Sequence, residues 1–443
     1  GTVTFGGTTL TPAGASGLFV GKLSSQGQWL WATTAAGSGT STADGLALDP
    51  ATGDLVIGGS FTDSLICGTD TLRNNGRTSG YVARLSGSTG AWRWAKRTGN
   101  TVNTVTVSAL AVAPGGDIVA MGSFDSHFDW DGTLVPNSYN YPLTWVGAVT
   151  PAGQLSWVAQ TTAAPPTPSS FGTTVGRSVA VDGQGNVYMT GIFSGLATFG
   201  ATTLNSVTSQ QSMDGFVARL DGATHQWSWA VGGGTVADDE MGNVVVDGAG
   251  PSVYVTGTSA SGVSGGGPTL PATYGPFTLP GSGASDLFVA RLNAATGAWE
   301  ELLAATGSQR EWGLELAREP VAGSFVVAGW TEDGVTRFGP IPLGGGAGTQ
   351  GFVARFGLPL GVREGKALAG APDVWPNPAR GTARIRLGQE EEGPLALLDA
   401  VGRPVRTVEL AEGQREATLD LQGLPAGLYL LRAGGRSRRL VVE

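Results

Sequence analysis

Asp214-Gly215-Phe216-Val217-Ala218-Arg219-Leu220 is the stretch on which the fold turns, because versions of it recur from one end of the chain to the other. Its aromatic position is held in turn by Phe19, Tyr81, Trp145, Phe216, Phe288 and Phe352, at steps of 62, 64, 71, 72 and 64 residues. A period this long points to a propeller-type array, whose units bury their faces only against their neighbours. Strand alternation puts Phe216, Ala218 and Leu220 on one face and Val217 and Arg219 on the other.

Working outward, a turn separates this run from Trp227-Ser228-Trp229-Ala230. Ahead of it stand Val179-Ala180-Val181-Asp182 and Asn186-Val187-Tyr188-Met189-Thr190-Gly191, matched by Leu46 to Asp49 with Leu55 to Phe61 and by copies beginning at Ala109, Val244 and Leu314. Each period therefore offers four short runs, which is one four-stranded blade. Asp182-Gly183-Gln184-Gly185-Asn186 supplies the turn chemistry between the first two strands. Small Ala and Gly residues suit the first strand to a crowded inner edge. The repeated Trp-x-Trp placement favours blade-to-blade packing over a carbohydrate platform. Six third-strand runs against five of their companions predict about six blades, with the N-terminal one incomplete and the chain beginning partway through a propeller. Two insertions, Gln160 to Gly176 and Ser259 to Gly275, read as surface loops on one rim, which is the default place to look for binding.

Composition excludes several classes. Net charge is −9 at pH 7, which argues against nucleic acid, since phosphate binding needs a basic footprint. Cys67 is the only cysteine, so no internal disulfide framework or thiolate zinc cluster is expected. No apolar run is long enough for a transmembrane helix, and Gly1 opens without a signal segment, so an export signal is expected to have been removed or to lie in a longer precursor. Residues 1–357 read as the propeller and 358–372 as a linker. Residues 373–443 hold ten Arg and ten acidic groups, so the whole negative balance lies ahead of them. Short strand candidates there (383–387, 395–398, 405–410, 417–421, 427–432 and 437–442) predict a small antiparallel, Ig-like sandwich.

Two families are resembled. Ser178-Val179-Ala180-Val181-Asp182-Gly183-Gln184-Gly185-Asn186-Val187-Tyr188-Met189-Thr190-Gly191 resembles the repeat of bacterial SBBP-type β-propeller proteins. The last segment looks like the type A sorting domain of the type IX secretion system of Bacteroidetes and relatives. Trp375-Pro376-Asn377-Pro378 matches its opening Tyr-Pro-Asn-Pro with Trp for Tyr; Asp399 and Gly402 match its middle turn, and Gly427 and Tyr429 its Leu-x-x-Gly-hydrophobic-Tyr strand. The resemblance implies passage through the inner membrane by a signal peptide and recognition by the outer-membrane machinery. It also implies removal of the domain, with the remainder anchored at the cell surface or released.

Chemistry is sparse by comparison. His127 and His225, the only histidines, fall on different blades, so neither a metal site nor a Ser-His-Asp relay is indicated. Cys67 takes the place of Phe5, Phe199 and Phe338 in a recurring Phe-Gly-x-x-x-Leu segment and reads as a small buried hydrophobe. Asp238, Asp239, Glu240, Arg310 and Glu311 lie in connections leading to innermost strands. If they face the central opening, they are candidates for binding a sugar or calcium. The expectation is an exported, non-enzymatic propeller that binds a surface glycan or protein and needs no cofactor. The alternative is a secreted polysaccharide hydrolase or lyase using carboxylates such as Asp239 and Glu311.

Overall fold

The computed structural model describes residues 1–11, 17–74, 77–99, 103–137, 141–164, 172–207, 212–246, 251–260, 271–281, 284–307, 309–318, 324–332, 336–338, 341–343, 348–357, 373–375, 378–387, 395–398, 404–408, 414, 416–425, 427–433 and 436–442. Among these residues all regular structure is strand. The chain divides into two compact units, Gly1–Arg318 with Val326–Arg355, and Glu319–Phe325 with Phe356–Glu443. The expected linker, 358–372, lies outside the described residues.

The first unit is a β-propeller. Its second to fifth blades are four-stranded antiparallel sheets in simple up-and-down order. They comprise Gly45–Leu48, Leu55–Phe61, Ser79–Leu85 and Trp92–Thr98; then Ala109–Val112, Ile118–Phe124, Leu143–Val149 and Leu155–Gln160; then Thr173–Val181, Val187–Ser194, Asp214–Leu220 and Trp227–Gly234; then Glu240–Val246, Ser252–Ala260, Ser285–Asn293 and Trp299–Thr306. Among the described residues the first blade shows its third and fourth strands, Phe19–Leu23 and Trp29–Thr34. The sixth shows three, Glu311–Arg318, Ser324–Thr331 and Gln350–Gly357. Phe19 is 55% exposed where its counterpart Phe216 is 0% exposed, as expected of a strand without an inner neighbour.

The repeat holds two more strands than the sequence reading assigned. The Phe-Gly-x-x-x-Leu segments are tight hairpins between second and third strands: Val3–Phe5 with Thr8–Leu10, Ser64–Cys67 with Asp70–Arg73, Leu196–Phe199 with Thr202–Asn205, and Thr336–Phe338 with Ile341–Leu343. Such a hairpin reaches back to the outer strand of the blade before it. Ala272–Tyr274 pairs with Trp227–Gly234, Thr336–Phe338 with Trp299–Thr306, and Ala36 bridges Ile66. Parts of both expected loops are therefore strand, because backbone groups beside an outer edge gain a ladder partner there. Thr162–Ala164 pairs with Leu196–Phe199, and Ala272–Tyr274 closes a hairpin with Phe277–Leu279. The remainders of these insertions, 165–171 and 261–270, lie outside the described residues.

A recurring bulge explains the tryptophan pairs. Residues two apart on a strand normally share a face, but Arg219 opposes Trp229 while Leu220 opposes Trp227, so Ser228 is the extra residue. The two indoles consequently take opposite faces. Trp227 packs with Phe216, Ala218 and Leu220 against Met121 and Val146 of the preceding blade, whereas Trp229 packs with Val217 against Met241 and Val244 of the following one. The same shift occurs at Lys22/Leu23, between Trp92 and Trp94, at Ala148/Val149 and at Arg291/Leu292. The fourth blade is thus stapled to both its neighbours: Trp227 Nε1 donates back to Gln160 O at 3.2 Å, and Trp229 Nε1 forward to Ala294 O at 3.1 Å. Innermost strands of adjacent blades approach closely. A Cβ on Gly45 would lie 3.1 Å from Leu110 N, which is why small residues fill that edge.

The second unit is a two-sheet sandwich. Asp373–Trp375, Thr382–Arg386 and Glu416–Asp420 form one sheet, and Pro404–Val408, Leu395–Leu398, Gly427–Ala433 and Arg436–Val442 the other. The strand Asp373–Trp375 adds to the six expected. Ile385 and Leu419 from one sheet meet Leu397, Leu431 and Leu440 from the other in a single core. This is the aligned packing of alternating inward residues that the pattern predicts.

Candidate functional site: the channel mouth

The first strands of the second to sixth blades line a central opening of about 440 Å³. Its polar groups are Asp44, Arg177, Glu240, Asn243 and Glu315, with Trp312 as the aromatic wall. Each carboxylate is already engaged. Glu240 Oε1 accepts from Arg177 Nε at 2.7 Å, Glu315 Oε2 from Asn243 Nδ2 at 2.8 Å, and Asp44 Oδ2 from Thr42 Oγ1 at 2.7 Å. Burial of part of the Glu315 side chain against the channel wall raises its carboxyl above the usual range. Trp312 stacks on Trp330 at 5.9 Å and 10°, which fixes one ring at the opening.

Of the five residues that sequence reasoning placed at this opening, only Glu240 lines it. Asp238 and Arg310 are exposed, Asp238 Oδ1 accepting from Met213 N at 3.0 Å. Asp239 and Glu311 are 0% exposed and sealed between blades, which corrects their expected placement at an open top face. Strand alternation accounts for it: of two adjacent residues entering a first strand, one faces the channel and the other the junction. Asp239 Oδ1 accepts from Ser259 Oγ and Ala260 N, and Oδ2 from Thr235 Oγ1 and Thr235 N.

Asp239 shares its junction with Asp214, whose Oδ1 is buried without a hydrogen bond. A Cβ on Gly234 would lie 2.5 Å from Asp214 Oδ1 and 2.6 Å from Asp239 Oδ2, so only glycine admits both carboxyls. Burial, with Asp239 and Asp238 nearby, pushes Asp214 up to about 7 against one lowering bond from Val207 N. Burial raises Asp239 to about 6 despite its donors. One junction later burial, with Asp286 nearby, raises Glu311 to about 7, opposed by the Thr336 hydroxyl. Of the missed channel residues, Asn243 and Glu315 carried a legible signal, polar side chains at first-strand positions that hold Gly, Ala, Ser or Val in other copies, whereas Arg177 and Trp312 share a position that also holds Asp44, Ser108 and Gly242 and so carried none.

None of the remaining candidates lines the opening. Cys67 is 1% exposed, and burial plus the Asp70 charge push its thiol to about 12. Arg84, the counterpart of Arg219, joins Asp49 and Asp54 within its own blade. His225 stacks on Trp157 with ring centroids 4.6 Å apart. No group of three His, Cys, Asp or Glu side chains able to hold a metal occurs among the described residues. In the sandwich, Tyr429 is buried and its hydroxyl donates to Pro425 O at 2.8 Å, while Arg386 lies 5.2 Å from the Trp375 ring. Pro378 and Gly427 are described and exposed. Pro376, Asn377, Asp399 and Gly402 lie outside the described residues.

No curated protein matches the chain. Among solved structures it is similar to the Dos1 propeller, at 11% identity and a TM-score of 0.36 over 72% of this chain and 60% of that one. It is also similar to the quinohemoprotein alcohol dehydrogenase from Comamonas testosteroni, at 11% identity and 0.33 over 76% and 63%. A europium-containing methanol dehydrogenase matches at 12% identity and 0.36 over 92% and 72%. The chain spans about three fifths of the length of the first of these structures. No helix among the described residues is long and apolar enough to cross a membrane. Residues 373–443 match the family described as the secretion system C-terminal sorting domain, which marks the protein for export by the type IX secretion machinery to the cell surface or beyond it.

Proposed function

We propose that residues 1–357 are an SBBP-type binding module, carried outward by the domain at 373–443 across a linker at 358–372, and that the channel mouth takes a surface glycan or protein ligand without catalysis. The observation that supports this reading is the state of the carboxylates. Those at the mouth are spent on Arg177, Asn243 and Thr42, and the pair first considered for acid/base work, Asp239 and Glu311, is closed off between blades. A hydrolytic site needs two carboxyl groups flanking one open bond-sized gap. The full chain is expected to retain ligands on an array of bacterial-surface and host glycans and extracellular proteins, and Arg177→Ala with Trp312→Ala to lose them. An array with no retained ligand would overturn the reading.

A second reading, a polysaccharide hydrolase or lyase, is favoured by one feature. Of the three carboxyls of the mouth, Glu240 is held in an ion pair with Arg177 while Glu315 is raised by burial, the direction an acid catalyst needs. Release of reducing ends or unsaturated uronates that disappears in Glu315→Gln would establish it. For the export step, deleting residues 373–443 in a Bacteroidetes host with type IX machinery should leave the protein in the periplasm. Unchanged secretion would refute it.

A further inference from the structure

At three blade junctions the second tryptophan of one blade lies flat on a glycine in the third-to-fourth-strand turn of the next. A Cβ on Gly90 would meet the Trp31 ring at 2.6 Å, one on Gly153 the Trp94 ring at 3.1 Å, and one on Gly297 the Trp229 ring at 2.7 Å. At each, the indole N–H donates to a carbonyl of that turn: Trp31 to Gly87 O at 3.2 Å, Trp94 to Pro151 O at 2.9 Å and Trp229 to Ala294 O at 3.1 Å. These junctions are closed. At the junction of the third and fourth blades the glycine is replaced by His225, which keeps the left-handed backbone, φ 55°, that favours glycine. Its imidazole stacks on Trp157, at 4.6 Å and 17°, and Trp157 Nε1 makes no hydrogen bond among the described residues. A cleft of about 370 Å³ lies there.

We infer that this cleft is a carbohydrate site that takes one neutral pyranose unit. Its walls are the turns 113–117, 182–186 and 221–226, on the rim opposite the second-to-third-strand connections, so it is separate from the channel mouth. The ligand chemistry follows from the lining. Trp157 and His225 offer an apolar aromatic edge, the Asp117 carboxylate accepts no hydrogen bond among the described residues, and the exposed Gln184 amide and the Gly183 peptide add further polar groups, while the Gly222 N–H is already given to Asn186 Oδ1. Among the described residues no Lys or Arg lines the cleft, and Asp117 repels anions, so phosphates and uronates are disfavoured. Its volume is at the small end for ligand sites, enough for a single sugar ring.

The test is a titration of the full chain with the methyl α- and β-glycosides of glucose, galactose and mannose, followed by tryptophan emission and ligand-observed NMR. At least one glycoside should saturate with a Kd of about 1–10 mM. His225→Gly, which restores the residue found at the other junctions, should weaken it at least ~10-fold with the unfolding midpoint retained, because Trp157 can then settle on the turn. Asp117→Asn, at a half-buried position, should also weaken it. Absence of saturation by every glycoside, or binding that survives His225→Gly, overturns the proposal. Binding lost in Arg177→Ala but not in His225→Gly places the sugar at the channel mouth, which refutes the cleft while leaving the function proposed above intact.

Discussion

In the second blade Asp49 and Asp54 are 3% and 5% exposed with the Arg84 guanidinium bonded to both, at 2.6 and 3.0 Å; at the junction of the fourth and fifth blades Asp214 and Asp239 are 1% and 0% exposed and have no ion pair among the described residues. Burial raises all four carboxyls, but in the second blade the Thr52 hydroxyl, the Ala51 N–H and the two arginines 84 and 93 outweigh it and hold the pair below the usual range. At the junction only neutral donors oppose burial, and they fall short. The same residue type, shielded from solvent in both places, is therefore an anion in one and a proton carrier in the other. Two things differ: the junction pair lies deeper in the protein, and only in the second blade does a third-strand guanidinium come within reach, and desolvating a charge is tolerated only with a partner.

The largest expected effect comes from removing that partner. Arg84→Leu leaves the buried Asp49 without a guanidinium, while Asp54 keeps Arg93, and should cost about 3 kcal/mol at pH 7, read as a lower urea midpoint. The loss should shrink as pH falls toward 4, where Asp49 takes up a proton. A pH-independent loss would mean that Arg84 acts by packing alone.

Next is the pH dependence of the junction. Asp214 binds a proton more tightly folded, at about 7, than its ordinary value of 3.8, so its contribution is fully present below about 4 and is lost as pH rises through about 7. Stability should fall by roughly 3 kcal/mol across that window. Asp214→Asn keeps the shape and cannot ionise, so it should flatten the profile and be the more stable form at pH 8. Equal slopes for the two proteins would show that Asp214 is ionised throughout.

The strand grammar of this contrast was readable from the chain. The period of Phe-Val-Ala-Arg-Leu placed Arg84 and Arg219 on third strands, and alternation separated Phe216 from Val217 correctly. What alternation could not reveal was the bulge at Ser228, which turns a same-face Trp-x-Trp pair into two staples facing opposite ways. Nor could it place Asp239. Its neighbours Asp238 and Glu240 point to solvent and channel, and three consecutive acids read as one solvated loop until the position of the first strand is known. The extra hairpins escaped for a related reason: three-residue strands such as Val3–Phe5 pair across two tight-turn residues, too short for periodicity to register. The sandwich was more legible because its motif residues Trp375, Pro378, Gly427 and Tyr429 come in a fixed order.

The smallest effect isolates what neutral donors contribute where no arginine is present. Thr235 donates both its N–H and its hydroxyl to Asp239 Oδ2, and the hydroxyl also lies 3.0 Å from Ala260 O. Thr235→Val keeps the volume and the N–H but removes the hydroxyl, which should cost about 1–1.5 kcal/mol at pH 8. Loss of a donor that favours the ionised form should also move Asp239 above its present value of about 6. The deficit at pH 5, where Asp239 is largely protonated and a hydroxyl donor matters less, should then be under about half of that at pH 8. The second blade supplies the control: Thr52→Val removes a hydroxyl from Asp49, but Arg84 still holds that carboxylate ionised, so its smaller deficit should be the same at both values. If the two substitutions gave parallel pH profiles, the guanidinium would not be what separates the anion in the second blade from the proton carrier at the junction.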